Sequence, residues 1–270
     1  VGSRGLGDVY KRRDFTRAPL AILAGVLVLF LFLIAIFAPL VAPTNPFDPA
    51  SLNLMNGFTP PMQPNMFTSE SFVMGTDDQG RDLLSAIIYG LRVSLFVGVM
   101  SVILAMGLGV SLGLIAGYVG GWLDNLIMRI ADIQLTFPSI LIAMLIFGVL
   151  RGIIPPDLRD EMAIFVLITA IGLSEWVPFA RTVRATTLVE KEKEYVQAAR
   201  LIGLGRHQIM WRHILPNVLG PVLVIATITL ALAIIAEATL SFLGVGAPPT
   251  EPSLGTCLLY TSDAADDRLS

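Results

Sequence analysis

Four ionisable residues interrupt long apolar runs of this 270-residue chain: Arg129, Asp132, Glu175 and Glu237. In the middle of a lipid-embedded helix each costs about 2.5–3.5 kcal/mol on insertion scales, so such groups face protein or water, pair with one another, or move protons. Arg129 and Asp132 lie three apart, on one helix face where they can pair. Glu175 has a basic neighbour in Arg181. Glu237 suits the wall of a pathway and, equally, a buried helix-to-helix hydrogen bond. A proton relay needs a chain of acids or histidines, and these four are scattered. A second constellation is Gly75, Thr76, Asp77, Asp78, Gly80, Arg81 and Asp82. Three aspartates could hold a cation, but the same residues suit a solvated turn with Asp caps and a helix start, which is the simpler reading. His207 and His213 are six apart, a poor spacing for a metal on a helix. No GxxxxGK[ST] or HExxH occurs, and GLGVSLG has no Lys-Ser/Thr pair behind it. The sequence therefore predicts no catalytic residue, no cofactor and no metal. If ATP drives this protein, another chain binds it.

The elements that must carry these groups are transmembrane helices. Hydrophobic residues make up 54% and charged residues 14% of the chain, and the mean hydropathy is +0.75. Soluble domains carry about 25% charged residues. A net charge of −3 offers no basic field for nucleic acid, and the one cysteine, Cys257, excludes a disulfide within the chain. Five runs, at roughly 19–42, 91–118, 124–150, 161–181 and 217–244, reach the ~20 residues a helix needs to cross hydrocarbon. They must be helical because lipid satisfies no backbone hydrogen bond. The first is too long for a signal core and reads as a retained anchor. The expected fold is an all-α polytopic bundle. Its parts are a tail at 1–18, the anchor at 19–42, an irregular segment at 43–90 ending in a short amphipathic helix, and a core at 91–255 with a polar loop at 182–216.

Arg4, Lys11, Arg12, Arg13 and Arg17 precede the first run, and Arg181, Arg184, Lys191, Lys193, Arg200, Arg206 and Arg212 cluster before the fifth. The positive-inside bias puts the N-terminus and the 182–216 loop in the cytoplasm and 43–90 and 151–160 outside. Ala105, Gly109, Gly113 and Gly117, at steps of four, give the second span one small-residue face that a neighbouring helix can approach closely. Pro138 predicts a kink in the third. The loop reads YVQAARLIGLGRHQIMWRHILPN from Tyr195 to Asn217: a helix over 195–202, a break at Gly203 and Gly205, and a second short helix over 206–214 closed by Leu215 and Pro216. Helix–glycine–helix of this kind can lie in a groove of a soluble partner, or on the anionic inner leaflet.

The loop resembles the EAA signature of permease subunits in binding-protein-dependent ABC importers. Gln197-Ala198-Ala199 fills the triplet, with Gln for the usual Glu. Gly203 stands at the expected distance, His213 occupies the usual Ile position with Ile214 beside it, and Leu215-Pro216 closes the pattern. LVAPTNPFDP, MGTDDQGRDLLSAIIYGLRVSL, the stretch through LTFPSILIA, and AEATLSFLGVGAPPTEPSLG resemble the second-subunit branch that serves dipeptides, oligopeptides and nickel. The match runs from about Lys11 to Gly255. The resemblance implies the type I importer permease fold, in which five of six spans are present here. It also implies residence in the cytoplasmic membrane of a prokaryote and a coupling role for Tyr195, Gln197, Ala198, Ala199, Gly203, Arg206, His213, Ile214, Leu215 and Pro216. The implied partners are a second permease, ATP-binding cassette subunits that hydrolyse the nucleotide, and a periplasmic or lipoprotein solute-binding protein. Residues 256–270, from about Cys257 onward, are polar and acidic and read as foreign to the protein, in place of a sixth span. A secondary transporter or channel is the alternative function. It is disfavoured because no internal repeat is seen. A membrane-embedded enzyme finds no HExxH and no Cys-His constellation here.

Overall fold

The computed structural model describes residues 18–46, 53–246 and 253–258. The basic tail through residue 17, and the suspected foreign residues from 259 onward, lie outside them. Contacts group the chain into two units, residues 1–92 and 93–270.

In the first unit, α1 (Pro19–Ile36) begins on a proline, whose missing N–H is one the first turn leaves unbonded anyway. It is apolar on every side and almost wholly exposed, as a lipid-facing span must be. Phe37 interrupts it before the four-residue α2 (Ala38–Val41), which carries Pro39. The stretch from residue 53 is more ordered than its prolines predict, because side chains supply the hydrogen bonds that helix and strand do not. Asn53 caps a 3-10 turn at Leu54–Asn56 through Met55 N–H, at 3.1 Å. Buried Asn65 donates to Thr59 Oγ1 at 2.7 Å and to Met55 O at 3.0 Å, and its Oδ1 accepts from Phe67 N–H at 2.7 Å.

The expected amphipathic helix before the second span is not separate. It is the start of α3 (Leu83–Val119), 37 continuous residues, or about 55 Å at 1.5 Å per residue. No proline or turn signal divides Arg81–Gly90 from the apolar run beginning at Leu91, so the helix simply continues.

In the second unit the third expected span is broken outright. α4 (Gly121–Leu135) and α5 (Ser139–Ile153) meet at 99°. Pro138 has no N–H to continue α4, and its ring forces Phe137 out of the helical region, so a break replaces the expected kink. The fourth span also divides, into α6 (Ala163–Ser174) and α7 (Trp176–Glu190), bent by 40°. Pro178 cannot donate to Ser174 O four residues earlier, and the break falls there. After α8 (Glu194–Leu201), the expected second loop helix does not end at Pro216. A turn at Arg206–Gln208 passes into a π-helical stretch, Ile209–Ile214, and then into α9 (Leu215–Phe242) without interruption. Leu215 N–H reaches Met210 O, five residues back, and this wider turn accommodates Pro216. Among the described residues, three helical stretches are long and apolar enough to cross a membrane (α1, α3 and Arg206–Phe242), and the total reaches five if each bent pair is one span.

The small-residue face of α3 meets α7. A Cβ on Gly109 would strike Trp176 O. One on Gly113 would lie 2.8 Å from Val183 Cβ, and one on Gly117 would lie 2.8 Å from Thr187 Cβ and 2.9 Å from Arg184 O. Only glycine permits this approach. Contacts advance together along both helices, so α3 and α7 run the same way and their C-terminal ends share one side. α4 runs antiparallel to α7, joined by Asp124–Arg184 and Asp132–Arg181. The core of the unit includes Leu114, Phe147, Leu167, Phe179, Ile209 and Ile214.

Candidate functional site

The polar loop is built on an anchored base. Lys191 Nζ donates to Gly117 O at 3.1 Å, and the Arg200 guanidinium lies 5.2 Å from the centre of the Tyr118 ring. Both fasten the loop to the C-terminal end of α3. The Tyr195 hydroxyl donates to Glu190 Oε2 at 2.7 Å and accepts from Asn217 Nδ2 at 3.0 Å, which ties α7, α8 and α9 together. Burial, reinforced by the Glu190 carboxylate, pushes this hydroxyl up to about 12. Asn217 Nδ2 also donates to His213 O at 2.8 Å, supplying a partner for a carbonyl of the π-helical stretch.

Val196 and Ala199 turn α8 toward the core, while Gln197 and Ala198 face outward. Alanine at 199 is small enough for a site only 4% exposed. Gln197 Nε2 donates to Glu192 O at 3.0 Å. The helix stops at Gly203, whose φ of +80° puts it in the left-handed region. Gly203 N–H bonds Arg200 O at 3.0 Å, and Leu204 N–H bonds Ala199 O at 3.1 Å. Together these make a Schellman stop, which uses the carbonyls a helix end leaves open. Nothing lies within 4 Å of a Cβ built on Gly203, so its requirement is conformational and not steric. The stop displays Leu201 and Ile202, 89% and 75% exposed, at the turn. Beyond it Arg206 is exposed, Ile209, Met210 and Ile214 are buried, His213 and Leu215 are half-buried, and Pro216 is exposed.

The charged residues of the spans pair differently from expectation. Asp132 pairs with Arg181 on α7, not with Arg129, because the antiparallel α4–α7 contact brings the two together. Glu175 therefore does not pair with Arg181. It is buried at the start of α7. Arg184 grips Asp124 with two bonds, Nε to Oδ1 at 2.5 Å and a second nitrogen to Oδ2 at 2.7 Å. Glu237 is fully buried and accepts hydrogen bonds from the hydroxyls of Ser94 at 2.5 Å and Ser241 at 2.8 Å.

In the first unit, Gly75 and Gly80 have φ of +80° and +76°, as the expected turns require. Asp77 Oδ1 accepts from the N–H of Gln79 and Arg81 at 3.0 and 2.7 Å, and Asp82 caps α3 through Ser85 N–H at 3.1 Å. Burial raises the Asp77 carboxyl above its ordinary value, against those N–H groups and the Arg81 charge. Thr76 Oγ1 accepts from Thr59 N–H at 2.9 Å and donates to Asn56 O. The aspartates act as caps.

Sequence reasoning missed Gln134. Its Nε2 donates to Leu173 O at 3.1 Å and Ser174 O at 2.9 Å, and its Oε1 accepts from Trp176 Nε1 at 2.8 Å. Its signal was a lone amide near a proline, too weak to read without its partners. The contacts of Lys191 with Gly117 and of Arg200 with Tyr118 were likewise invisible.

Known proteins share this pattern. The family model described as "Binding-protein-dependent transport system inner membrane component" matches residues 109–260, which include the whole loop, and "N-terminal TM domain of oligopeptide transport permease C" matches residues 10–61. The dipeptide transport system permease protein DppC of Haemophilus influenzae is 38% identical over 238 residues, covering 88% of this chain and 76% of its own. The oligopeptide transport system permease protein OppC of Bacillus subtilis is 36% identical over 242 residues, covering 90% and 73%. The glutathione transport system permease protein GsiD of Shigella flexneri is 40% identical over 249 residues, covering 91% and 75%. A bundle of apolar helices with a core-anchored polar loop, matched over this length, belongs to the permease family of binding-protein-dependent ABC importers, as a multi-pass transport subunit of the inner membrane.

Proposed function

We propose that the 194–217 loop is the surface gripped by an ATP-hydrolysing partner, and that the chain pairs with a second permease to carry peptides or related small solutes inward. The observation that carries this is the Gly203 stop, which exposes Leu201 and Ile202 at the tip of a loop whose base is bonded to α3, α7 and α9. An exposed apolar tip on a stiff base suits a groove in a soluble protein, and a stiff base passes force to the helices behind it. The nucleotide belongs to the partner, since no phosphate-binding loop occurs in this sequence. The loop and the N-terminus face the cytoplasm. The 43–90 segment faces outward, where a solute-binding protein delivers its cargo. Peptide-like cargo is supported by the names of the relatives, which transport dipeptides, oligopeptides and glutathione.

The test is coexpression of the chain with its candidate ATPases and second permease, with Leu201→Cys for crosslinking. We expect a crosslink to the ATPase, and loss of solute uptake when the partner's Walker lysine is replaced. Uptake that persists without that lysine would defeat the proposal.

A further inference from the structure

The two broken spans share one joint. Pro178 leaves Ser174 O without its helical donor, and Leu173 O lies beside the same break. In a membrane such carbonyls need a partner from the protein. Gln134 supplies it, donating to Leu173 O at 3.1 Å and Ser174 O at 2.9 Å and accepting from Trp176 Nε1 at 2.8 Å. Gln134 itself stands in the last turn of α4, four residues before Pro138, which breaks the other span.

On the loop side of this joint, α4 and α7 are clamped by Asp124–Arg184 and Asp132–Arg181. On the far side, α5 and α6 pack through Ala143, Phe147 and Leu167. α7 leads into the loop and packs closely against the glycine face of α3.

We propose that Gln134 is a positioning residue for transport. It locks the two proline breaks together, so that a displacement of α7 is delivered to α5 and is not absorbed by separate bends in each span. The origin of that displacement, the ATPase acting on the loop, rests on the function proposed above.

The test uses the assembled importer in lipid nanodiscs, with Cys257→Ser and spin labels at Leu145 on α5 and Val189 on α7, both exposed. In the parent protein we expect one narrow distance distribution that shifts when ATP is trapped. In Gln134→Met the distribution broadens without nucleotide, and solute moved per ATP falls about tenfold while ATP hydrolysis holds within about twofold. Trp176→Phe, which removes one bond, gives a smaller loss. The double variant is no worse than Gln134→Met alone, as expected of residues acting through one contact. A narrow, unchanged distribution with unchanged transport per ATP in Gln134→Met would overturn the proposal. If the parent protein fails to respond to ATP, the ATPase reading of the loop fails instead, and the nucleotide-free distribution still decides for or against the joint.

Discussion

Glu237 and Ser94 meet at 2.5 Å in the interior of the second unit, linking α9 to α3. Ser94 Oγ in turn accepts Leu254 N–H at 3.1 Å, and Ser241 occupies the other carboxyl oxygen. What the site requires is a hydrogen-bonding side chain that answers the hydroxyls on either side of it. Glu237→Gln, which keeps one carbonyl oxygen, should unfold within a few degrees of the parent. Glu237→Leu removes the carboxyl to which Ser94 and Ser241 donate and should cost ~1–3 kcal/mol. Thermal unfolding in detergent, followed by tryptophan fluorescence, checks this. A Gln variant as unstable as the Leu variant would mean that charge, not hydrogen bonding, holds the site.

Two glycines of α3 should respond oppositely to alanine. A Cβ at Gly107 meets nothing within 4 Å, so Gly107→Ala should be neutral or gain up to ~1 kcal/mol from helix propensity. A Cβ at Gly109 meets Trp176 O and lies 3.0 Å from Ala180 N, so Gly109→Ala must push α3 and α7 apart and should cost ~1–3 kcal/mol. The same unfolding measurement separates them, and equal effects would contradict the α3–α7 contact.

At Gly203 the demand is on φ. Gly203→Asn, which tolerates the left-handed region, should retain coupling. Gly203→Ala should weaken the stop by ~1–2 kcal/mol. Gly203→Pro cannot reach +80° and also loses the N–H that bonds Arg200 O, so it should uncouple ATP hydrolysis from transport while the protein still inserts in the membrane. Solute-stimulated ATPase activity of the assembled complex distinguishes the three. Full coupling in the proline variant would remove Gly203 from the mechanism.

Tyr195 sets an alkaline limit on the loop. A phenol held above its ordinary value favours the neutral form in the folded protein. Its contribution is therefore complete below pH ~10, the unfolded value, and is lost as pH rises through about 12. The difference absorbance at 295 nm between the parent and Tyr195→Phe should show this tyrosine ionising near 12. Ionisation near 10 would mean that the hydroxyl is neither buried nor held by Glu190.

Much of this architecture is legible in the sequence because it depends on local pattern. Apolar length marks α1, α3 and α9, and the four-residue step from Gly109 to Gly117 marks the face that meets α7. The caps at Asp77 and Asp82 follow from residue type beside a helix start. What is not legible depends on who arrives from elsewhere. Arg129 and Asp132 satisfy a helix-pair rule, yet Arg181 lies closer once α4 and α7 run antiparallel. Pro138 and Pro178 each announce a disturbance, but neither reveals that the side chain of Gln134 fills the gap left by Pro178. The π-helical stretch leaves no composition signature, since it is a matter of hydrogen-bond register alone.

That register has a consequence for how the loop faces the bundle. Because Leu215 N–H skips to Met210 O, the stretch from Ile209 to Ile214 contains one residue more than an ordinary helix of its length. Each residue of an α-helix turns the chain by about 100°. Deleting a single residue there, and restoring the common register, would swing Arg206, His207 and the Gly203 stop about a quarter-turn around α9 while leaving every downstream side chain in place. The azimuth of the loop around α9 is thus set by one inserted amino acid.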